Sequence, residues 1–194
     1  MEPLLRSQNP MTEFQHAETT AYAQTVEHIA LVQKLLLSAQ VELSRRIVTH
    51  DQSKLRSPEW EMFREVTAQL RGLTYGSDEY KAQLQKMKTD GALGHHYAHN
   101  RHHPEFFDLH HPEDGINKMN LFDLLEMLID WIAAVHRHDD GNIHRSIEIN
   151  KERFGMSDQL TQVLTNTVGW ISDEFVELNT QKDLELAGEP PVFH

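Results

Sequence analysis

A chain of 194 residues with 18 basic and 30 acidic side chains has a formal net charge of -12, which disfavours nucleic acid backbones and anionic membranes as partners. Its length suits one domain with its own core. Because there is no cysteine, the sequence excludes disulfides, thiolate metal ligands and a cysteine nucleophile, and any metal must be held by nitrogen and oxygen atoms.

Residues 1–12 are mainly polar, contain two prolines and show no periodicity, so we expect a loose lead-in to the fold. They lack a basic start followed by an apolar run of signal-peptide length. No stretch approaches the roughly 18 consecutive apolar residues that span a bilayer. These features predict a cytoplasmic protein with no membrane partner.

A helical pattern starts near Thr12. Beyond Tyr22 the apolar positions recur at steps of three and four, which indicates a helix with one buried face and His28 beside it. These positions are Val26, Ile29, Val32, Leu35 and Leu36.

If His28 and His50 contribute to one metal site, the segment between them must fold back. In one unbroken helix their separation of 22 residues would place them roughly 33 Å apart at about 1.5 Å per residue. The apolar period weakens around Ser38 to Gln40, close to the midpoint. We therefore expect a break there and an antiparallel helical hairpin.

Ser57 and Pro58 suit the cap and the first position of a helix over 58–71. A second short helix is predicted over 78–88. Both lie ahead of the most unusual stretch of the chain, 95–111, which holds seven of the fourteen histidines. Histidine is the commonest metal ligand in proteins, so a cluster of this density indicates half of a metal site.

Within this stretch two sets of histidines have helical spacing, so that either set shares one face of a helix. Proline at 104 disfavours helical geometry in the preceding residue, which predicts a helix end at about His103. The two sets are His96, His99 and His103, and His95, His99 and His102.

The second half of the sequence continues as helices. Asn120 followed by Asp123 predicts a helix start, Ile143 to Phe154 forms another helix, and Ser157 caps a last one towards residue 178. Residues 181–194 form a peripheral tail. No strand pattern is present, so the predicted class is all-α, a single-domain helical bundle over 13–180.

Several motifs in this order resemble the HD-domain superfamily: a histidine on an early helix, then VTHDQSK, then the histidine-rich segment, then an aspartate within a late helix. HDQSK followed by SPEW, with HHYAHNRHHPE and EMLIDW further on, looks like a little-characterised bacterial and phage branch. The resemblance covers about residues 25–140. It implies an all-α fold that binds one or two divalent ions and hydrolyses phosphate esters of nucleotides.

Carried over residue by residue, the resemblance assigns the first ion to four ligands and gives Asp51 the role of bridging to a second ion. The ligands of the first ion are His28, His50, Asp51 and Asp130. Further ligands come from one member of each histidine doublet, and the choice within each doublet stays open. The doublets are His95 with His96, and His102 with His103.

Lys54 matches a lysine that follows the HD pair in many members, where it resembles a phosphate-binding cation. Such a cation beside a metal neutralises a phosphate oxygen as charge moves in the transition state. Asn100, Arg101 and Glu105 are candidates to orient the substrate or to fix the imidazoles. Asp123 and Glu126 belong to an acidic stripe that we interpret as solvated.

The leading function is a divalent-metal phosphohydrolase of a nucleotide or similar small phosphate ester, using a metal-activated water. The metal is one of Mn, Mg, Co, Ni, Zn or Fe, and a homo-oligomer is compatible with the sequence. One alternative is a di-iron oxygenase of the HD type that oxidises a small alcohol or phosphonate. Another is a non-catalytic scaffold or ligand sensor that keeps the metal for stability.

Overall fold

A computed structural model describes residues 13–70, 73, 77–79, 82, 85, 91–136 and 141–171. Over these ranges all regular structure is helical, which confirms the predicted all-α class. The chain divides into two compact units, residues 1–48 and 49–194. The predicted lead-in, the tail, and most of the helix expected over 78–88 lie outside the described residues. None of the helices in these ranges combines the length and hydrophobicity needed to cross a membrane.

The first helix, α1, extends without interruption over Glu13–Thr49. The break predicted around Ser38 to Gln40 is therefore wrong. Ser38 Oγ donates to the carbonyl of Lys34 at 3.1 Å, one turn back, so this polar residue is accommodated inside the helix. His28 is exposed on this unbroken helix, about 30 Å before its last turn at 1.5 Å per residue. The hairpin that would let His28 act as a ligand does not form.

The second unit is built from short helices. In chain order they are a 3-10 turn at Gln52–Leu55, α2 at Glu59–Leu70, α3 at Ala92–His99, α4 at Pro104–Phe107, α5 at Pro112–Gly115, a second 3-10 turn at Ile116–Lys118, α6 at Leu121–Val135, α7 at Ile143–Phe154 and α8 at 158–171.

Local sequence signals account for the ends of the later helices. Asn120 and Asp123 form a capping box at the start of α6, as predicted. Gly155 takes φ 59° directly after α7, a left-handed conformation that favours glycine. Ser157 Oγ accepts from the backbone N–H of Leu160 at 3.2 Å and so caps α8.

Two apolar cores hold these helices together. Met62 and Val66 of α2 pack with Leu93 and Tyr97 of α3. The larger core joins α6, α7 and α8, together with residues of the loops next to them. Its buried members are Ile116, Met127, Leu128, Trp131, Ile147, Phe154, Met156, Leu164 and Val168. These cores fix α3, which carries His96, and α6, which carries Glu126 and Asp130.

The histidine-rich segment is a helix followed by a turn. α3 ends at His99, not at His103 as predicted, because Asn100 adopts φ -124° and ψ 105°. The side chain of Asn100 donates to the carbonyl of His96 at 2.8 Å and so satisfies one open end of the helix. His102 and His103 consequently lie in the turn before α4 rather than on a shared helical face.

Candidate metal centre

His50 and Asp51 occupy the turn between α1 and the first 3-10 turn. Asp51 has φ 55°, in the left-handed region where aspartate is among the better tolerated residues. Its carbonyl accepts a hydrogen bond from the backbone N–H of Lys54 at 2.9 Å. This tight turn places His50, Asp51 and Lys54 within five residues of sequence.

A first cluster of metal-ligating groups combines Asp51 with His96, His102 and His103. Their ligand atoms all lie within 4.8 Å of one another. His96 Nε2 is 2.9 Å from His103 Nε2, and 3.4 Å from Asp51 Oδ1. His102 Nε2 is also 3.4 Å from Asp51 Oδ1. Three imidazoles and one carboxylate therefore converge on one small volume.

A second cluster combines His50, Asp51 and Asp130. His50 Nε2 lies 3.4 Å from Asp51 Oδ2 and 3.7 Å from Asp130 Oδ1. The two oxygens of Asp51 thus face different clusters, Oδ1 the first and Oδ2 the second. This is the arrangement of a carboxylate able to bridge two ions.

The first cluster fits a metal ion on independent grounds. Asp51 Oδ1 and His102 Nε2 are buried, and neither forms a hydrogen bond within the part of the chain that the structure describes. Burying a polar atom without a partner is costly, and native proteins rarely tolerate it. A divalent ion with nitrogen and oxygen ligands would satisfy both atoms at once.

Two glutamates orient these imidazoles, and sequence reasoning gave neither a place in the site. Glu59 is fully buried and accepts hydrogen bonds from Nδ1 of His96 at 2.9 Å and from Nδ1 of His95 at 2.6 Å. Glu126 lies 2.9 Å from His50 Nδ1 and 3.3 Å from His102 Nδ1. A carboxylate that accepts a hydrogen bond from Nδ1–H keeps the proton on Nδ1, so that Nε2 is unprotonated and free to bind a metal.

The interpretation of Glu126 as solvated is wrong, since its side chain is 14% exposed. It also forms a metal-sized cluster with His50 and His102. We assign it a positioning role because its contacts are to Nδ1 atoms at hydrogen-bond length. Asp123, predicted to be solvated too, is fully buried and pairs with Arg101 at 3.2 Å.

The Glu126→Gln variant should bind divalent metal about 10–100-fold more weakly, the usual cost of losing a carboxylate that orients a ligating histidine. Titration with a metal-sensitive indicator measures the affinity. Glu113→Gln is the matched control, because exposed Glu113 contacts His111 at 3.3 Å away from the site. Equal affinities in the two variants would remove Glu126 from the site.

The site holds its histidines in different charge states. Burial, aided by the charge of Lys54, lowers the pKa of His96 to about 4. Burial also lowers the pKa of His103 well below its usual range. The carboxylates of Asp130 and Glu126 raise the pKa of His50 to about 10. Near neutral pH, the imidazoles of His96 and His103 are therefore neutral and able to bind a metal. The imidazole of His50 is protonated and must lose this proton before it can bind an ion.

Metal binding at pH 8 should therefore release about one proton from His50, since only a neutral imidazole can ligate a metal. His96 and His103 are already neutral there and release none. Calorimetric titration of chelator-treated protein in buffers of different ionisation enthalpy counts the protons. The release should persist at pH 9, where an ordinary histidine is neutral, and should fall by about one proton in His50→Gln. No release from the native protein would exclude His50 as a ligand.

The remaining predicted site residues have internal partners. Asn100 donates to Ser53 Oγ at 2.8 Å and so ties the end of α3 to the first 3-10 turn. Arg101 bonds Asp123, and Glu105 bonds Arg153 at 2.6 Å. His95 binds Glu59 and stacks on His99, and is in none of the metal-sized clusters found among the described residues. Of the doublet His95 and His96, only His96 belongs to the first cluster, whereas both His102 and His103 belong to it.

A cavity of about 650 Å³ adjoins the second cluster. Lys54 lies on its wall, paired with Asp51 and 5.1 Å from the centre of the Phe63 ring. The indole of Trp60 and the guanidinium of Arg64 also line the cavity. Its lining consists of His50, Asp51, Lys54, Leu55, Trp60, Phe63, Arg64, Asp130 and Ala133.

Comparison with known proteins assigns a family without assigning a function. Searches of curated proteins and of solved structures gave no match to this chain. Residues 17–170 match the model of DUF5662, a family of unknown function, and the match includes every residue of both clusters. Because that match spans most of the sequence, the chain belongs to the DUF5662 family.

Proposed function

We propose that the protein is a divalent-metal-dependent phosphohydrolase of the HD type, acting on a nucleotide or a similar small phosphate ester. The observation that carries the proposal is the position of Asp51. Its two carboxylate oxygens face separate groups of ligands, one with three imidazoles and one with His50 and Asp130. Paired metal ions held in this way are common in enzymes that hydrolyse phosphate esters.

The ligands divide between the two positions. Asp51, His96, His102 and His103 would hold one ion, and Asp51 with His50 and Asp130 would hold the other. Bound ions would supply Lewis acidity towards the phosphoryl oxygens and a water nucleophile active at neutral pH. Glu59 and Glu126 keep the Nδ1 protons of the imidazoles in place. No nucleophile from the protein is required.

The neighbouring cavity suits a small anionic substrate. Lys54 and Arg64 provide positive charge on its wall, next to the carboxylates that would be neutralised by metal. Trp60, 45% exposed, offers an aromatic surface on which a planar base can stack. The volume of about 650 Å³ lies within the range of roughly 300–1,000 Å³ usual for small-molecule sites. The net charge of -12 argues against a polynucleotide as substrate.

Phosphate release from a panel of nucleotides tests the proposal. The untagged protein is stripped with a chelator, reloaded with manganese, cobalt, magnesium, nickel, zinc or iron, and assayed with nucleoside mono-, di- and triphosphates. Metal-dependent release of phosphate or pyrophosphate, absent in Asp51→Asn, is the expected result. No release with any metal and substrate, from protein shown to be loaded, would contradict it.

One observation favours a second candidate. The first cluster supplies three imidazole nitrogens beside one carboxylate, a donor set that suits iron as well as manganese. A di-iron oxygenase of a small alcohol or phosphonate would consume oxygen after iron loading and would release no phosphate. Protein that binds metal, gains thermal stability and turns over neither class of substrate would instead be a metal-stabilised scaffold or sensor.

A further inference from the structure

A stripe of exposed apolar side chains runs along α1, and we call it the α1 stripe. Its residues recur at helical spacing, and each is between 40% and 79% exposed. They are Tyr22, Val26, Ile29, Val32, Leu36 and Ile47. A stripe of this kind on a long helix is normally buried against another element, and contiguous apolar patches of this extent mark interaction surfaces.

We propose that the α1 stripe pairs with the same stripe of a second copy of this chain, in antiparallel orientation. A two-fold axis between Val32 and Gln33 brings four of the six stripe residues level with an apolar residue of the other helix, whereas Val32 lies level with Gln33 and Ile47 with Glu18. Such a pairing is self-complementary, as a two-fold interface must be. The facing pairs are Tyr22 with Leu43, Val26 with Ala39, and Ile29 with Leu36 of the second copy.

The charges of α1 select the antiparallel orientation. Between residues 15 and 30 the helix carries Glu18 and Glu27 and no lysine or arginine. Between residues 31 and 49 it carries three basic residues against one acidic residue, Glu42. Antiparallel pairing sets the acidic half of each copy beside the basic half of the other and also opposes the helix dipoles. Parallel pairing would set like charges side by side.

The area of the α1 stripe is sufficient for a stable pair. The helix has 37 residues and is therefore about 55 Å long. The exposed side chains of the stripe offer on the order of 400 Å² of apolar surface per copy, or about 800 Å² for the pair. A specific interface buries about 1,200–2,000 Å² in total, a little over half of it apolar. The stripe supplies that apolar share by itself.

Sedimentation of the full-length chain tests which face of α1 pairs. The native protein should sediment as a dimer. Leu36→Glu should raise the dissociation constant at least about 100-fold, because the two-fold axis places the charge in the interface twice. Leu31→Glu is the matched control: Leu31 is 56% exposed, against 65% for Leu36, and lies on the opposite side of the helix. The Leu31→Glu variant should remain a dimer.

Engineered cysteines test the orientation, and the absence of native cysteine makes the result unambiguous. In the antiparallel register, residue 29 faces residue 36 of the second copy, so Ile29→Cys combined with Leu36→Cys should form intermolecular disulfides on oxidation. Either single substitution leaves like cysteines about 10 Å apart along the axis, beyond disulfide reach. A parallel pair would instead cross-link both single variants.

Each other outcome overturns the proposal. A native protein that sediments as a monomer has no such interface. Loss of the dimer in both glutamate variants, or in neither, would place the interface off the α1 stripe. Cross-linking of the single-cysteine variants would refute the antiparallel orientation. Circular dichroism of Leu36→Glu checks that the helix persists, and the cysteine pattern decides the matter if it does not.

Discussion

The Asp51→Ala variant is expected to lose at least about 100-fold in metal affinity while keeping its helix content. Removing even an outer carboxylate that orients a ligand costs about 10–100-fold, and Asp51 contributes an oxygen to each of the two clusters. The loss of helix content should be small because Asp51 belongs to neither apolar core. Calorimetric titration with manganese or cobalt measures the affinity, and circular dichroism the helix content.

Asp158→Ala is the control for this experiment. Asp158 is an acidic side chain, 95% exposed, whose ion pair with Lys151 lies outside both clusters. Its variant should bind metal like the native protein. Metal content unchanged in Asp51→Ala would contradict the assignment of both clusters, since no ligand set proposed for catalysis omits Asp51.

The Lys54→Ala variant is expected to keep its metal and to lose about 100–1,000-fold in kcat for phosphate ester hydrolysis, the usual cost of removing one charge-stabilising group from a transition state. Lys54 lines the cavity beside Asp51, and its ammonium group has no lone pair with which to bind a metal. Lys54→Arg should recover part of the activity, because arginine keeps the charge with different geometry.

Lys118→Ala provides the comparison, since Lys118 is 52% exposed and pairs with Asp108 away from the cavity. Metal content and turnover are measured on the same preparations. Full activity in Lys54→Ala would exclude contact between Lys54 and the reacting phosphate. Loss of metal together with activity would mean that Lys54 supports the site structurally.

Much of the later fold was predictable because its signals are local. The capping box at Asn120 and Asp123, the glycine that ends α7 and the serine that caps α8 all appear where the sequence indicates. Asp51 and Asp130 were singled out by the resemblance, and the structure brings these two together with His50 but does not bring His28 to them. The resemblance rests on the order of motifs along the sequence. A metal site requires in addition that the residues of these motifs lie close together in the folded chain.

The break in α1 was predicted on insufficient grounds. Loss of the apolar period around Ser38 indicates only that this part of the helix has no clean buried face. It does not stop backbone hydrogen bonding, and an exposed helix accommodates serine without ending. The requirement that His28 meet His50 follows only from assuming one shared metal site, and the segment contains no glycine or proline that favours a break.

The two orienting glutamates were missed because burial is a property of the folded chain. Glu126 lies four residues before Asp130, a spacing that places both on one face of α6. That spacing was the available signal, since Asp130 was already a predicted ligand. The sequence gives less indication that Glu59 belongs to the site, because an acidic residue in the first turn of a helix is already explained by its interaction with the helix dipole.

Elemental analysis of the untagged protein, purified without added metal and compared with His102→Ala, tests the central claim of a metal centre most directly. His102 Nε2 is buried and forms no hydrogen bond within the described residues, so its removal should reduce the metal content. We predict one to two equivalents of manganese, cobalt, nickel, zinc or iron per chain. Less than a tenth of an equivalent in the native protein, persisting after reconstitution with each metal, would contradict the metal centre and the function built on it.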